Sequence, residues 1–376
     1  MDSRFVGGKL LRRGYTTGTC AAAAAKAAVT MLLTQSLLGN VSLTMPDGTQ
    51  LTLDIIDAAV TAEGASCAVK KDSGDDPDVT NGALIYAHAS LADEGVAISG
   101  GEGIGRVTKP GLDQPVGEYA INSAPRKMIK EECESVFAEH GYMGGAAVVI
   151  SIPGGLSLAE KTFNPRLGIK GGLSILGTTG IVEPMSDTAI VKTIRAELSI
   201  LYKEGKRDVL LTIGNYGEAF ARNMLRLNMR TQVKCSNFIG ETLSAAVEIG
   251  FSRALIIGHV GKLAKLGIRI TNTHSSYGDG RAETLIACAL EAGAPLTVLH
   301  NLRRCVSSEA MCGQLLEAGL LEEVMSILSD RIEDTLARLV GGHLEVGFIS
   351  FYGTGDKAAL CAQNELARKM PEVFSV

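Results

Sequence analysis

Apolar and polar positions follow two rhythms along this chain. From Cys20 to Leu33 almost every residue is apolar, most of them alanine, with Lys26 the one charge and Thr16, Thr17 and Thr19 just ahead. Alanine has the strongest helix propensity and threonine serves well as an N-cap, so a helix is predicted there. Val41–Met45 and Gln50–Ile56 change to period two: Leu51, Leu53 and Ile55 alternate with polar neighbours. The Pro46-Asp47-Gly48-Thr49 step between them predicts a hairpin turn. A second helix is expected from Asn122 or Ser123, with Pro125 in its first turn, to Gly141. Ala146–Ile152 then reads as a buried strand. The order helix, hairpin, further strands, helix, strand predicts an α+β N-terminal domain.

The second half has another pattern. Short apolar runs at Val209–Ile213, Ala254–Ile257, Leu296–Leu299 and Val346–Phe351 are separated by helical stretches such as Glu218–Leu227, Thr242–Ile249 and Ala282–Ala292. That alternation predicts βαβ units, hence an α/β Rossmann-like C-terminal domain with a mostly parallel sheet. A helix over Ala189–Glu204 joins the halves. The division near residue 190 gives domains 1–190 and 191–376, and 376 residues is a natural length for two domains.

Composition narrows the function classes. With 44 Gly and no Trp, the chain calls for many tight turns or close backbone approaches. A net charge of −5 argues against nucleic acid as a partner, though a local basic patch for a small polyanion is compatible with it. The 8 Cys form no CxxC pair and the His residues have no ligand spacing, so neither a metal site nor a disulfide framework is expected. Reduced thiols point to the cytoplasm. Arg12-Arg13 ahead of the alanine run resembles an export signal, but Lys26 interrupts the run and no cleavage site follows. No uninterrupted apolar run reaches the roughly 18 residues of a membrane span, so no membrane partner is expected. The acidic stretch Lys70–Asp78 lacks EF-hand spacing and reads as a turn held by Asp side chains.

Several segments carry candidate chemistry. Thr16, Thr17 and Thr19, with Gly18, open the first helix, where free amides and hydroxyls can cradle an anion. An ordinary helix cap accounts for the same residues. Gly100–Arg106 is glycine-rich but leads into Val107-Thr108-Lys109-Pro110 instead of a helix, so it is no dinucleotide fingerprint. It reads better as a loop offering Arg106 and Lys109 to a carboxylate. Thr162–Gly180 combines Arg166 and Lys170 with hydroxyls and glycines, suited to wrapping a flat acidic ligand or to a plain connection. In the second half Gly214, Asn215, Gly217 and Glu218 follow one predicted strand, and Gly258 and Lys262 flank the end of the next. Ligands of open α/β sheets bind at such strand ends. His259, His274 and Asp279 gather around the same region and are the candidate catalytic groups.

Together these strings resemble the cobalt-precorrin-5B C1-methyltransferases of anaerobic cobalamin synthesis. The resemblance runs in order through GYTTGTCAAAAA (14–25), DDPDVT (75–80), GGEGIGRVTKP (100–110), TFNPRLGIKGGLSILGTTG (162–180), GNYGE (214–218), SNFIGE (236–241), GHVGKL (258–263) and NTHS (272–275). It implies methylation of C1 of cobalt-precorrin-5B to give cobalt-precorrin-6A. The methyl donor would be S-adenosylmethionine as co-substrate, and cobalt would enter only as part of the substrate. On that basis the second half is expected to bind the donor through Gly214, Asn215, Gly217, Glu218, Gly258 and Lys262. The first half is expected to bind the macrocycle through Thr16, Thr17, Thr19, Arg106, Arg166 and Lys170. A corrinoid carrier without chemistry is the alternative, and a homo-oligomer is left open.

Overall fold

The computed structural model describes residues 3–6, 8–45, 48–370 and 374. The chain divides into two compact units, Met1–Asp187 and Thr188–Val376. Both mix helices with sheets, and parallel strand pairs occur in each.

The first unit is built around the alanine helix, Thr17–Thr34. The Thr16 hydroxyl caps it by accepting the Thr19 amide at 3.2 Å. Cys20–Ala25 and Ala27–Val29 have no solvent exposure at all, so this helix is buried all round, and small side chains let its neighbours come close. Cys67 of the strand Gly64–Lys70 reaches within 3.3 Å of the Ala24 carbonyl. By length and composition Thr17–Thr34 could cross a membrane, which amends the expectation that no segment could. Here 78% of it is buried in the fold.

Beside that helix lies a five-stranded sheet in the order Ile56–Thr61, Gly64–Lys70, Leu84–Ala92, Gly145–Ser151, Val96–Gly100. Its pairs are antiparallel except the last, which is parallel. The second helix, Ser123–His140, starts after Asn122 and stops at Gly141, whose φ of 60° a side chain would resist. The hairpin joins Asn40–Thr44 to Gln50–Asp54 with Leu43 opposite Leu51. Pro46 and Asp47 of its turn lie outside the described residues.

In the second unit a five-stranded sheet runs Gln232–Lys234, Asp208–Thr212, Arg253–His259, Glu345–Tyr352, Ala359–Gln363. The first four strands are parallel and the last is an antiparallel edge. Val209–Leu211 and Ala254–Ile257 are fully buried, as strands covered on both faces must be. One predicted strand is a helix: Leu296–Leu299 opens Leu296–Arg304, capped by Pro295. Val298, Leu299 and Leu302 face the core while Leu296 is exposed, which is helical spacing that a four-residue window could not reveal. The stretch after Gly214 also differs from expectation. An α-helix covers Gly214–Ala219 and continues as a π-helical turn over Phe220–Met224. The short strand Gln232–Lys234 had no apolar run to announce it.

Candidate functional site

In the first unit the glycine-rich strings meet each other. A side chain on Gly103 would collide with the Ile152 carbonyl and with Gly155 Cα at 3.1 Å, and one on Gly172 would collide with the Gly103 carbonyl. Gly105 N–H donates to Leu173 O and Leu173 N–H to Gly103 O, both at 2.8 Å. These glycines allow backbone to press on backbone, the packing role that the sequence left open beside ligand approach. The helix start is closed in the same way. Gly18 N–H donates to Leu176 O at 2.8 Å, and Gly180 O accepts both Thr16 N–H (2.9 Å) and the Thr19 hydroxyl (2.7 Å). Thr17 and Thr19 are buried, so the expected anion cradle at Thr16–Thr19 is filled by the protein's own carbonyls.

What this framework presents outward is positive charge. Arg106–Val107 pairs antiparallel with Ile169–Lys170, and Arg106 stands directly opposite Lys170. Like charges placed opposite each other on one ribbon repel, and neither has a carboxylate partner among the described residues. The Arg106 guanidinium lies 3.9 Å over the Tyr119 ring and donates to Gly117 O at 2.7 Å, which fixes its plane. The Lys109 stem crosses Gly168, and Arg166 is exposed in the preceding turn. The acidic stretch does not offset this face. Asp78 accepts from buried Lys71 at 2.6 Å and from Thr80, while Asp75 and Asp76 accept backbone amides of Arg12 and Met185. Asp72 pairs with Arg12.

In the second unit the candidates line the carboxyl edge of the parallel strands. Gly214, at φ 65°, follows Asp208–Thr212, and a side chain there would meet open space. Gly217 and Gly258 are packing positions: added Cβ atoms would lie 2.6 Å from the Ile257 carbonyl and from Ile213 Cδ1. Lys234 ends the neighbouring strand and bridges Asn215 and Glu218, each at 2.8 Å. Glu218 also receives Arg222 at 2.9 Å.

Two histidines share one device. His259, last in its strand, accepts Gly261 N–H on Nδ1 at 3.1 Å, and His274 accepts Ser276 N–H on Nδ1 at 3.2 Å. A ring that accepts at Nδ1 carries its proton on Nε2 when neutral; His274 is exposed, whereas the Nε2 of His259 is buried. His259 Nε2 lies 3.4 Å from Glu309 but makes no well-directed hydrogen bond, and the ring meets Phe351 edge-on at 5.4 Å. Burial holds the His259 pKa below its usual value, against the pull of Glu309. Asp279 is gripped by Arg281, which keeps its carboxyl below the ordinary range.

A cationic cluster ties the loop after residue 271 to the strand ends. Lys262 donates to Asn237 Oδ1 at 2.9 Å and to Thr273 O at 3.3 Å. Lys265, only 3% exposed, donates to Thr273 O at 3.1 Å and Gly278 O at 2.7 Å. Burial first, then mutual repulsion and Arg281, pull the Lys262 pKa down, and burial does the same to Lys265. Sequence reasoning named Lys262, His274 and Asp279 but missed Lys234, Asn237, Lys265, Arg281 and Glu309. Asn237 lies in a string quoted for the family resemblance, and that string was the only signal the sequence held for it.

The CbiD family model matches residues 5–184, and the model described as CbiD, C-terminal domain matches residues 272–361. A relative named cobalt-precorrin-5B C(1)-methyltransferase from Ruminiclostridium cellulolyticum is 46% identical, over 87% of this chain and 85% of its own length. The chain belongs to the CbiD family. Relatives of the same name from Photorhabdus laumondii and Alkaliphilus metalliredigens are each 41% identical, covering 90% and 95% of this chain and 89% and 94% of their own. A crystal structure titled cobalamin biosynthesis protein (cbiD) from Archaeoglobus fulgidus shares 28% identity. It covers 78% of this chain and 88% of that one, with a TM-score of 0.40. Within the CbiD matches fall Arg106, Arg166 and Lys170 in the first segment and His274, Asp279 and Arg281 in the second. Lys234, Asn237, His259, Lys262 and Lys265 lie in the stretch neither model covers.

Proposed function

We propose that this protein transfers a methyl group from S-adenosylmethionine to C1 of cobalt-precorrin-5B, giving cobalt-precorrin-6A in anaerobic cobalamin synthesis. The observation that carries the reading is identity above 40% across nearly the whole chain to enzymes bearing that activity in their name. The cobalt arrives within the substrate. The reading makes the protein a cytoplasmic enzyme with no nucleic-acid or membrane partner.

The two units divide the task in this proposal. Arg106 and Lys170 face outward in the first unit, and the acetate and propionate arms of a corrin precursor are the natural counter-charge for them; the reading adds Arg166, exposed in the same segment, as a further contact. We read the parallel sheet of the second unit as Rossmann-like and assign the donor to its carboxyl edge. The residues there fit an adenosyl ligand: Gly214 puts no side chain over its strand end, and Asn215 and Lys262 supply polar groups beside it. When bound, the donor supplies an electrophilic sulfonium methyl for in-line displacement by an electron-rich ring carbon. The chain's own work is alignment and exclusion of water. His274 acts as an N–H donor held by its Nδ1 bond, His259 holds the turn after its strand through its own Nδ1 bond, and Asp279 acts as the fixed counter-charge of Arg281 rather than as a base.

Mass spectrometry of purified protein incubated with cobalt-precorrin-5B and S-adenosylmethionine tests the assignment. A product heavier by one methyl group is expected. An unmodified macrocycle, from a substrate preparation that a known relative does methylate, overturns it.

A further inference from the structure

The cluster at the carboxyl edge of the second unit's sheet has more positive charge than its internal pairing uses. Lys262, Lys265 and Arg281 converge there with one carboxylate, Asp279. Arg281 grips both oxygens of that carboxylate, and Lys265 stands 4.0 Å from it. Lys262 has no carboxylate partner among the described residues. Its two hydrogen bonds, to Asn237 Oδ1 and Thr273 O, leave one of three ammonium hydrogens for another acceptor. Asn237 is oriented by its surroundings: Oδ1 accepts from Lys262 and from the Thr273 hydroxyl at 3.1 Å, so the oxygen must be the atom on that side. Its amide NH2 is therefore the arm turned away from Lys262 and Thr273, and it carries two further donors. Lys265 is buried beneath and bound to two carbonyls, so it contributes charge without reaching out.

We propose that Lys262 and Asn237, backed by buried Lys265, form a receptor for a carboxylate group carried by one of the two reactants. The inference rests on the methyltransferase reading, which supplies two sources of that chemistry. One is the amino-acid carboxylate of the donor, and the other is an acid arm of the macrocycle. A charge-assisted pair of donors from a Lys and an amide suits a single carboxylate, and an anion here relieves the repulsion among the three cations. Burial lowers the pKa values of both Lys262 and Lys265, and repulsion from Lys265 and Arg281 adds to the effect at Lys262.

Calorimetry on the full chain tests this with three ligands: S-adenosylhomocysteine, its decarboxylated analogue, and cobalt-precorrin-5B. Asn237→Asp is the decisive variant, because it keeps the acceptors for Lys262 and Thr273 but replaces the NH2 donors with negative charge. Lys262→Gln is its partner, and Lys262→Arg retains the charge. If the donor is the source, the first two variants lose roughly ten- to hundredfold in affinity for S-adenosylhomocysteine, with the decarboxylated analogue unchanged and Lys262→Arg partly restored. If an acid arm is the source, the same loss falls on the macrocycle and spares S-adenosylhomocysteine. Wild-type affinity for both ligands in folded Asn237→Asp overturns the receptor while leaving the methyltransferase reading intact. Failure of the wild-type protein to bind either ligand overturns both.

Discussion

A histidine that caps a helix through Nδ1 must keep that nitrogen unprotonated, and this sets how His259 responds to acid. Its pKa is lowered in the folded protein, so below 6.5 the unfolded chain takes up a proton that the folded chain refuses. Stability then falls as pH drops from 6.5 toward the lower folded value and is independent of this group above 6.5. Asn at 259 accepts the same amide without titrating. His259→Asn is expected to flatten the loss of stability as pH falls below 6.5 in urea unfolding, and an unchanged slope would refute the account. Arg106 gives a second residue-scale prediction. Its fork is fixed by Tyr119 and Gly117, a geometry lysine cannot reproduce. Arg106→Lys should weaken macrocycle binding about tenfold and Arg106→Ala up to about a hundredfold, with donor affinity unmoved in either. Loss of donor affinity instead would exchange the two assigned sites.

Among the elements, the alanine helix was the most legible in the sequence, because propensity, cap and apolar composition all agree over 18 residues. The helix Ser123–His140 and the hairpin were legible for the same kind of reason, with local chemistry naming both ends. Leu296–Leu299 failed where only a short apolar run was available, and Gln232–Lys234 failed because three residues carry no period. The site was legible as a set of strings but not as contacts. Gly103 and Gly172 lie 69 positions apart, and nothing local says that the Gly103 carbonyl is what bars a side chain from Gly172. The same burial makes the alanine helix intolerant of bulk. Ala24, fully enclosed and touched by Cys67, cannot take a leucine without displacing the sheet. Ala24→Leu should cost about 1–3 kcal/mol in urea unfolding, and a neutral result would mean space exists where none is visible.

Each unit has its own cores: the first unit's main one is gathered on the alanine helix with a small cluster at Val107, Ala120 and Ile169, and the second unit's are on the parallel sheet. Unfolding of such a chain need not be a single step. Two transitions are expected in calorimetric scans. Ala24→Leu should lower one, and Ile256→Ala, a cavity of about 2–5 kcal/mol in the second unit's sheet, should lower the other. A single transition that both variants shift together would show one cooperative block.

The closure of the alanine helix by Gly180 has a consequence in time. The Thr19 hydroxyl and the Gly180 carbonyl are 161 positions apart, so the helix Thr17–Thr34 leaves the ribosome long before the residue that closes its start. At translation rates of about 5–20 residues per second, that helix waits roughly 10–30 s for its partner segment. Early in that interval, until the strands between residues 56 and 151 have followed, a run of alanine, valine, methionine and leucine lacks the full sheet that covers it. Holding chaperones thus have a defined client in this chain, and slow synthesis between residues 34 and 180 lengthens its exposure rather than helping it fold.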